Sequence, residues 1–150
     1  SNPEKEPDHW HFYKDGKDSI ALKITGSQAR SGQAAYLQGK TYLYQDVEIE
    51  AGKRYEIKMH VNAPSPSFPW KYYCYWRKTK NSALPAEHNK PIQAQSYLKQ
   101  TNGWINVFNG KSFIAPEGAK LLRVEIRTYG KEITPDEGIY IDDFCVELVE

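Results

Sequence analysis

Three observations predict an all-β chain, a two-sheet antiparallel β-sandwich. Short segments carrying an apolar residue at every second position recur from Ile20 to Leu148, the period of a strand with one buried face. Gly, Pro and Asn turn signals divide these segments. No stretch sustains the helical spacing of apolar residues over three turns. The 150 residues read as one domain, residues 1–150, without internal repeat or low-complexity tract. That length buries roughly 70% of the surface exposed by the unfolded chain.

Residues 1–9 are charged and carry two prolines, an extended entry, and order begins at Trp10. After the turn at residues 14–18, Ile20, Leu22 and Ile24 share a strand face. A Gly/Ser/Gln loop leads to a short strand, residues 34–38, expected to end at Gly39-Lys40. Residues 42–49 form the next strand, with Leu43, Gln45, Val47 and Ile49 inward and Tyr42, Tyr44, Asp46 and Glu48 outward. Ala51-Gly52-Lys53 turns the chain into residues 55–61, where Tyr55, Ile57, Met59 and Val61 alternate strictly with Glu56, Lys58 and His60. The proline-rich residues 62–69 are a loop. In residues 70–77 the set Trp70, Tyr72, Cys74 and Trp76 is assigned to the core, because Lys71, Tyr73, Tyr75 and Arg77 carry both charges. Trp70 has a second reading, as a rim platform, beside burial next to Tyr72.

Residues 79–91 read as a long polar connection, and 94–98 as a short strand or a helical turn. Residues 103–108 and 111–115 are extended pieces about Asn109-Gly110, a dipeptide that favours hairpin turns. Residues 121–129 point Leu122, Val124, Ile126 and Thr128 inward and Arg123, Glu125, Arg127 and Tyr129 outward. The last strand, residues 139–148, puts Tyr140, Asp142, Phe144, Val146 and Leu148 on one face. That face is assigned to the core, which sends Asp142 inward. A buried carboxylate needs donors or a cation. Backbone amides at a sandwich corner would serve, and so would a structural Ca²⁺.

Composition narrows the function. A net charge of +1 argues against nucleic acid, whose binding shows as a basic excess or stripe. No apolar run approaches the roughly 20 residues of a membrane span, and the first residues lack a secretory-leader pattern. Eleven Tyr and four Trp stand against one Met, so some rings must lie near the surface, where an apolar face with a polar handle is useful. Cys74 faces the core and Cys145 outward, so no disulfide joins them. His9, His11, His60 and His88 share no metal-ligand spacing with the cysteines. Nucleophile elbow, Cys–His pair and phosphate-binding Gly loop are all missing from the sequence. Adjacent Asp142 and Asp143 point to opposite strand faces and cannot act together as acid and base. The chain is not expected to be an enzyme.

The order of the pieces carries a resemblance. Ser31-Gly32 precedes a short strand, then come Leu43-x-Gln45-x-Val47-x-Ile49, Ala51-Gly52-Lys53 and Tyr55-x-Ile57. Gly103-Trp104, Phe113-Ile114-Ala115-Pro116 and finally Tyr140-Ile141-Asp142-Asp143 follow. The pattern resembles the galactose-binding-like jelly roll, in particular carbohydrate-binding modules of families 4 and 9, over nearly the whole chain. The resemblance implies a structural Ca²⁺ held by Asp142, by Glu6 of an Asn2-x-x-x-Glu6 entry, and by carbonyls near residues 30–32. It implies a ligand on a concave sheet, and a site outside the cytoplasm: extracellular, periplasmic or on the cell surface, alongside other domains of a larger secreted protein.

Three outward faces suit such a ligand, and Tyr44, Tyr73, Tyr75, Arg77, Arg123, Glu125 and Arg127 are the expected site. Tyr rings pack on pyranose C–H faces while charged planar groups bond hydroxyl pairs. A solvated face held by cross-strand Arg–Glu and Tyr–Tyr pairs has the same sequence signature. Two functions remain: a non-catalytic module binding a glycan, or an accessory or adhesion domain contacting a partner protein without sugar.

Overall fold

The computed structural model describes residues 11–14, 20–25, 30, 32, 34–90, 92–130 and 137–149, the first two segments as backbone. Its described elements are all strands: β1 (His11–Lys14), β2 (Ile20–Thr25), β3 (Ala34–Glu48), β4 (Arg54–Asn62), β5 (Trp70–Thr79), β6 (Ser82–Ala83), β7 (Ile92–Gln93), β8 (Ile105–Asn106), β9 (Ser112–Ile114), β10 (Leu121–Tyr129) and β11 (Ile139–Leu148). Every pairing is antiparallel. One layer runs β1–β3–β10–β5, with β6 and β7 along the outer edge of β5. The other runs β2–β3–β11–β4, with β8 and β9 along the far edge of β4. The all-β, antiparallel reading of the sequence holds.

β3 belongs to both layers. The sequence expectation of two strands broken at Gly39-Lys40 is corrected: the chain stays paired for 15 residues. Ala34–Gly39 pairs with β2, and Lys40–Glu48 with β10. The bend falls at Gly39, whose φ of 66° is open to glycine without steric cost. Its carbonyl accepts both the Thr128 hydroxyl at 2.8 Å and the Gly130 N–H at 3.0 Å. The backbone at the corner therefore stays satisfied while the strand changes layer.

The core lies between the layers and follows the expected alternation on β4, β5 and β10. Ile57, Met59 and Val61 are fully buried, as are Cys74, Leu122, Val124 and Ile126. Trp70 takes its core reading: it is buried, and its indole N–H donates to the Lys99 carbonyl at 3.0 Å. Cys74 and Cys145 are both free, and Cys74 is enclosed by the core.

β11 departs from the expected parity. Ile139 and Ile141 are the buried residues of its first half, opposite Leu37 and Val61. Tyr140 and Asp142 face the other way, beside Asn62 and His60. Asp142 is half-buried and does not enter the core. One extra residue is then accommodated between the Asp142–His60 and Cys145–Lys58 pairs, with Asp143 at φ 48°. This bulge resets the alternation, so Phe144 and Val146 pack on the core as expected. A period-two count cannot register an inserted residue.

Three smaller corrections concern connections. The segment read as a long polar connection, 79–91, contains β6, and β7 follows directly after it. Residues 94–98 form neither strand nor helical turn, apart from a bridge between Leu98 and Trp70. Asn109 and Gly110 do adopt positive φ, 50° and 77°. However, the pieces flanking that turn pair with β4 rather than with each other.

Candidate functional site

β10 lies between β5 and β3, which brings the three outward faces onto one surface. Register sets Arg123 beside Asp46 and Tyr75, and Glu125 beside Tyr44 and Tyr73. Arg127 is flanked by Tyr42 on β3 and Lys71 on β5. Alternation explains which side each faces; only the strand order makes them neighbours.

The groups are interlocked. Arg123 forks onto Asp46 through two hydrogen bonds, Nε to Oδ1 at 2.7 Å and Nη2 to Oδ2 at 2.8 Å, and its guanidinium lies 4.3 Å from the centre of the Tyr44 ring. Arg127 donates to Glu125 Oε2 at 2.8 Å and to the Tyr75 hydroxyl at 3.1 Å. The Arg127 guanidinium is layered between two rings, 4.1 Å from Tyr73 and 4.9 Å from Tyr42, an arrangement that cation–π attraction favours. Tyr73 and Tyr75 lie nearly parallel, 7° apart, with centroids at 6.1 Å. The Arg127 Nε atom is buried and has no hydrogen-bond partner.

Electrostatics fits this geometry. The hydrogen bond to Asp46 holds Arg123 above its ordinary value against the opposing effect of burial. Burial works against the Arg127 charge, but the bond and attraction of Glu125 outweigh it and raise its pKa. Burial pushes the Tyr75 phenol up, with Arg127 partly offsetting it. The Tyr129 phenol is raised by burial and by its hydrogen bond with Tyr73. At neutral pH Tyr75 and Tyr129 are therefore neutral phenols, and Arg123 and Arg127 are charged and paired.

Of the seven residues expected from sequence, six converge: Tyr44, Tyr73, Tyr75, Arg123, Glu125 and Arg127. Arg77 stands at the margin, its guanidinium donating to the Thr79 and Lys80 carbonyls at 3.3 Å each. Tyr42 and Asp46, placed outward by alternation but outside the expected site, prove integral to it. Tyr97 was not foreseen. It meets Tyr129 edge-on at 5.0 Å and lies under the Lys71 ammonium at 4.7 Å, and no local pattern around residue 97 foretells that long-range contact.

The described one of the expected Ca²⁺ ligands, Asp142, lies elsewhere, at the β11 bulge. Asp142 Oδ1 accepts the Asp143 N–H at 2.7 Å, and the Arg30 guanidinium is paired with the Asp143 carboxylate. Glu6 lies outside the described residues. Among the described residues no group of three or more His, Cys, Asp or Glu is placed to hold a metal, and no helix is long and apolar enough to cross a membrane. A half-buried carboxylate at a bulge suits one Ca²⁺ ligand.

No family model matches the chain, and no curated protein matches it in sequence. Its fold is shared with solved structures. The enzymatically active domain of tailspike protein 4 from bacteriophage CBA120 superposes with a TM-score of 0.71 at 11% identity over 95% of this chain, which spans 20% of that one. The CBM22-1 xylan-binding domain of Paenibacillus barcinonensis Xyn10C gives 0.64 at 15% identity, covering 99% of this chain and 90% of that domain. A family 4 carbohydrate-binding module gives 0.61 at 16% identity, covering 98% and 91%. The K3 adhesin domain of Lys-gingipain from Porphyromonas gingivalis has the same fold at 0.52 and 16% identity, covering 94% of this chain and 92% of that domain. The chain thus has the β-sandwich architecture of carbohydrate-binding modules, as the sequence resemblance implied, and that architecture also occurs within a tailspike's enzymatically active domain and in an adhesin domain.

Proposed function

We propose that this domain is a non-catalytic carbohydrate-binding module whose ligand lies across the outer face of β5, β10 and β3. One observation carries the reading: a Tyr42–Arg127–Tyr73 layer beside which Tyr75 lies parallel to Tyr73, so that aromatic rings and a charged planar group share one outer face. Tyr73 and Tyr75 offer parallel rings for pyranose C–H faces. The two carboxylates within the Tyr–Arg cluster, Asp46 and Glu125, are committed to arginines, which supports binding rather than acid–base chemistry.

The first ligands to try are β-1,4-linked xylo-oligosaccharides, since a structural neighbour is a xylan-binding domain. Calorimetric titration should show weak binding, on the order of micromolar to millimolar, because water competes for each hydroxyl. Tyr75→Ala should remove it at a modest cost in stability, about 1 kcal/mol, because the half-buried phenol accepts a bond from Arg127. Silence across neutral and acidic glycans at millimolar concentration would transfer the face to a second reading, contact with a partner protein, which the adhesin likeness supports.

The same proposal places the domain in a larger secreted or surface-attached protein, outside the cytoplasm. It also carries the structural Ca²⁺, which Asp142 and Glu6 would hold and which would contribute rigidity at the β11 bulge. A melting temperature lowered by chelator, with the sensitivity abolished in Asp142→Ala, supports the ion. An unchanged curve leaves Asp142 the plainer task of accepting the Asp143 N–H.

A further inference from the structure

β5 serves two surfaces. Its outward residues Tyr73 and Tyr75 belong to the face above, while Tyr72 and Trp76, of opposite parity, look between the layers. There, at the open edge of the sandwich, the β5–β7 border stands apart from β9 and the turn before it. The gap is a cavity of about 590 Å³, within the roughly 300–1,000 Å³ of small-molecule sites. Tyr72, Trp76, Phe108 and Phe113 form its aromatic wall, with Tyr72 edge-on to Phe108 at 5.1 Å and Phe108 edge-on to Phe113 at 6.5 Å.

The charges around this cavity are one-sided. Arg54, Lys90 and Lys111 line it, and no Asp or Glu does. Among the described residues none of these three cations is in an ion pair. Arg54 is held in place by donating to the Ser112 hydroxyl at 3.2 Å, a neutral partner that leaves its charge uncompensated. The contrast with the outer face is direct, since there Arg123 and Arg127 each carry a carboxylate. Three cations with no carboxylate partner among the described residues, at the mouth of an aromatic cavity, call for an anion with a flat apolar surface. Gln93 and Ser112 on the lining add neutral hydrogen-bonding groups that a purely aliphatic ligand would leave unpaired.

We propose that this edge cavity is a second binding site, for a sugar residue bearing an anionic substituent, carboxylate or sulfate. The ring would pack on Tyr72 and Phe113 while Arg54, with Lys90 and Lys111, takes the anion. It is separate from the outer face and stands or falls without it.

The test is an NMR titration of the intact domain, read at backbone amides, with three probes: a galacturonic-acid tetrasaccharide, a sulfated disaccharide and neutral xylohexaose. Expected are shifts at residues 107–114 and 92–93 with at least one anionic probe and none there with xylohexaose. Arg54→Gln and Lys111→Gln should each weaken the anionic probe about tenfold, whereas Tyr75→Ala leaves it unchanged. Lys111 is exposed, so its substitution reads the site even if Arg54→Gln unsettles the fold. Carboxylate-only or sulfate-only binding names the substituent. Anionic shifts confined to β10 amides would overturn the proposal. So would loss of binding in Tyr75→Ala with Arg54→Gln unaffected, or equal binding of inorganic sulfate alone. Loss of xylohexaose binding with the edge shifts intact would sink the outer-face reading and leave this one standing.

Discussion

Asp46→Ala tests whether the outer face is a pre-built platform or merely a wet surface. The substitution removes the carboxylate that Arg123 grips through two bonds of 2.7 and 2.8 Å. The Asp46 side chain is 6% exposed and that of Arg123 19%, so the pair is largely shielded from water. A fully exposed ion pair contributes about 0.2–1 kcal/mol, and breaking a fully buried one costs about 3–5 kcal/mol. Arg123 would keep the Lys80 carbonyl at 3.1 Å and the Tyr44 ring, which limits the damage. The expected loss is therefore intermediate, about 2–3 kcal/mol. A domain of this size loses about 2–4 °C per kcal/mol, so the melting temperature should fall by about 4–12 °C. Asp46→Ala, Arg123→Ala and the double variant, measured by urea unfolding, isolate the pair itself. A coupling energy above about 1 kcal/mol is expected. A value at or below about 0.3–0.5 kcal/mol, the range of exposed helical pairs, would refute the platform and return the face to solvent.

Other outcomes follow from the same geometry. Cys74 is fully buried and its thiol is pushed up by that burial, while Cys145 is half-buried, so a thiol reagent should label Cys145 in the native protein and Cys74 only on unfolding; equal labelling would contradict the core. Tyr75 and Tyr129 have phenols raised by burial, so their contribution to stability is complete below the unfolded value near pH 10 and declines as pH rises beyond it. The melting temperature should accordingly hold level from neutral pH to about 9 and fall above about 10, with part of the tyrosinate absorbance appearing only on unfolding. Gly138→Ala would bring a Cβ within 2.5 Å of the Leu37 carbonyl oxygen, a clash with backbone that should cost about 1–3 kcal/mol. A melting temperature equal to that of the parent would show that this approach of β11 to β3 is looser than described.

Individual elements show where local sequence information ends. On β4 and β10 the residues themselves determined the outcome: seven or more positions of strict alternation leave one arrangement that buries the apolar set. The same rule assigned Tyr44, Tyr73, Tyr75, Arg123, Glu125 and Arg127 to outward faces, so the chemical content of the candidate site was legible. The choice of neighbours was not. That Arg127 lies between Tyr73 and Tyr42 depends on β10 being flanked by β5 and β3, and strands far apart in sequence are joined by packing of the whole sandwich. The β11 bulge and the layer crossing of β3 were likewise decided by tertiary structure. One requires a residue accommodated opposite β4 at Asp143, the other a glycine bend whose carbonyl is satisfied by Thr128 and Gly130. The edge cavity is the clearest instance: Arg54, Lys90 and Lys111 belong to three separate segments, and only the gap between two sheet borders gathers their charge. Alternation is set by each strand's own pleat and is read locally, whereas pairing, bulges and clefts are settled by what the rest of the chain packs against them.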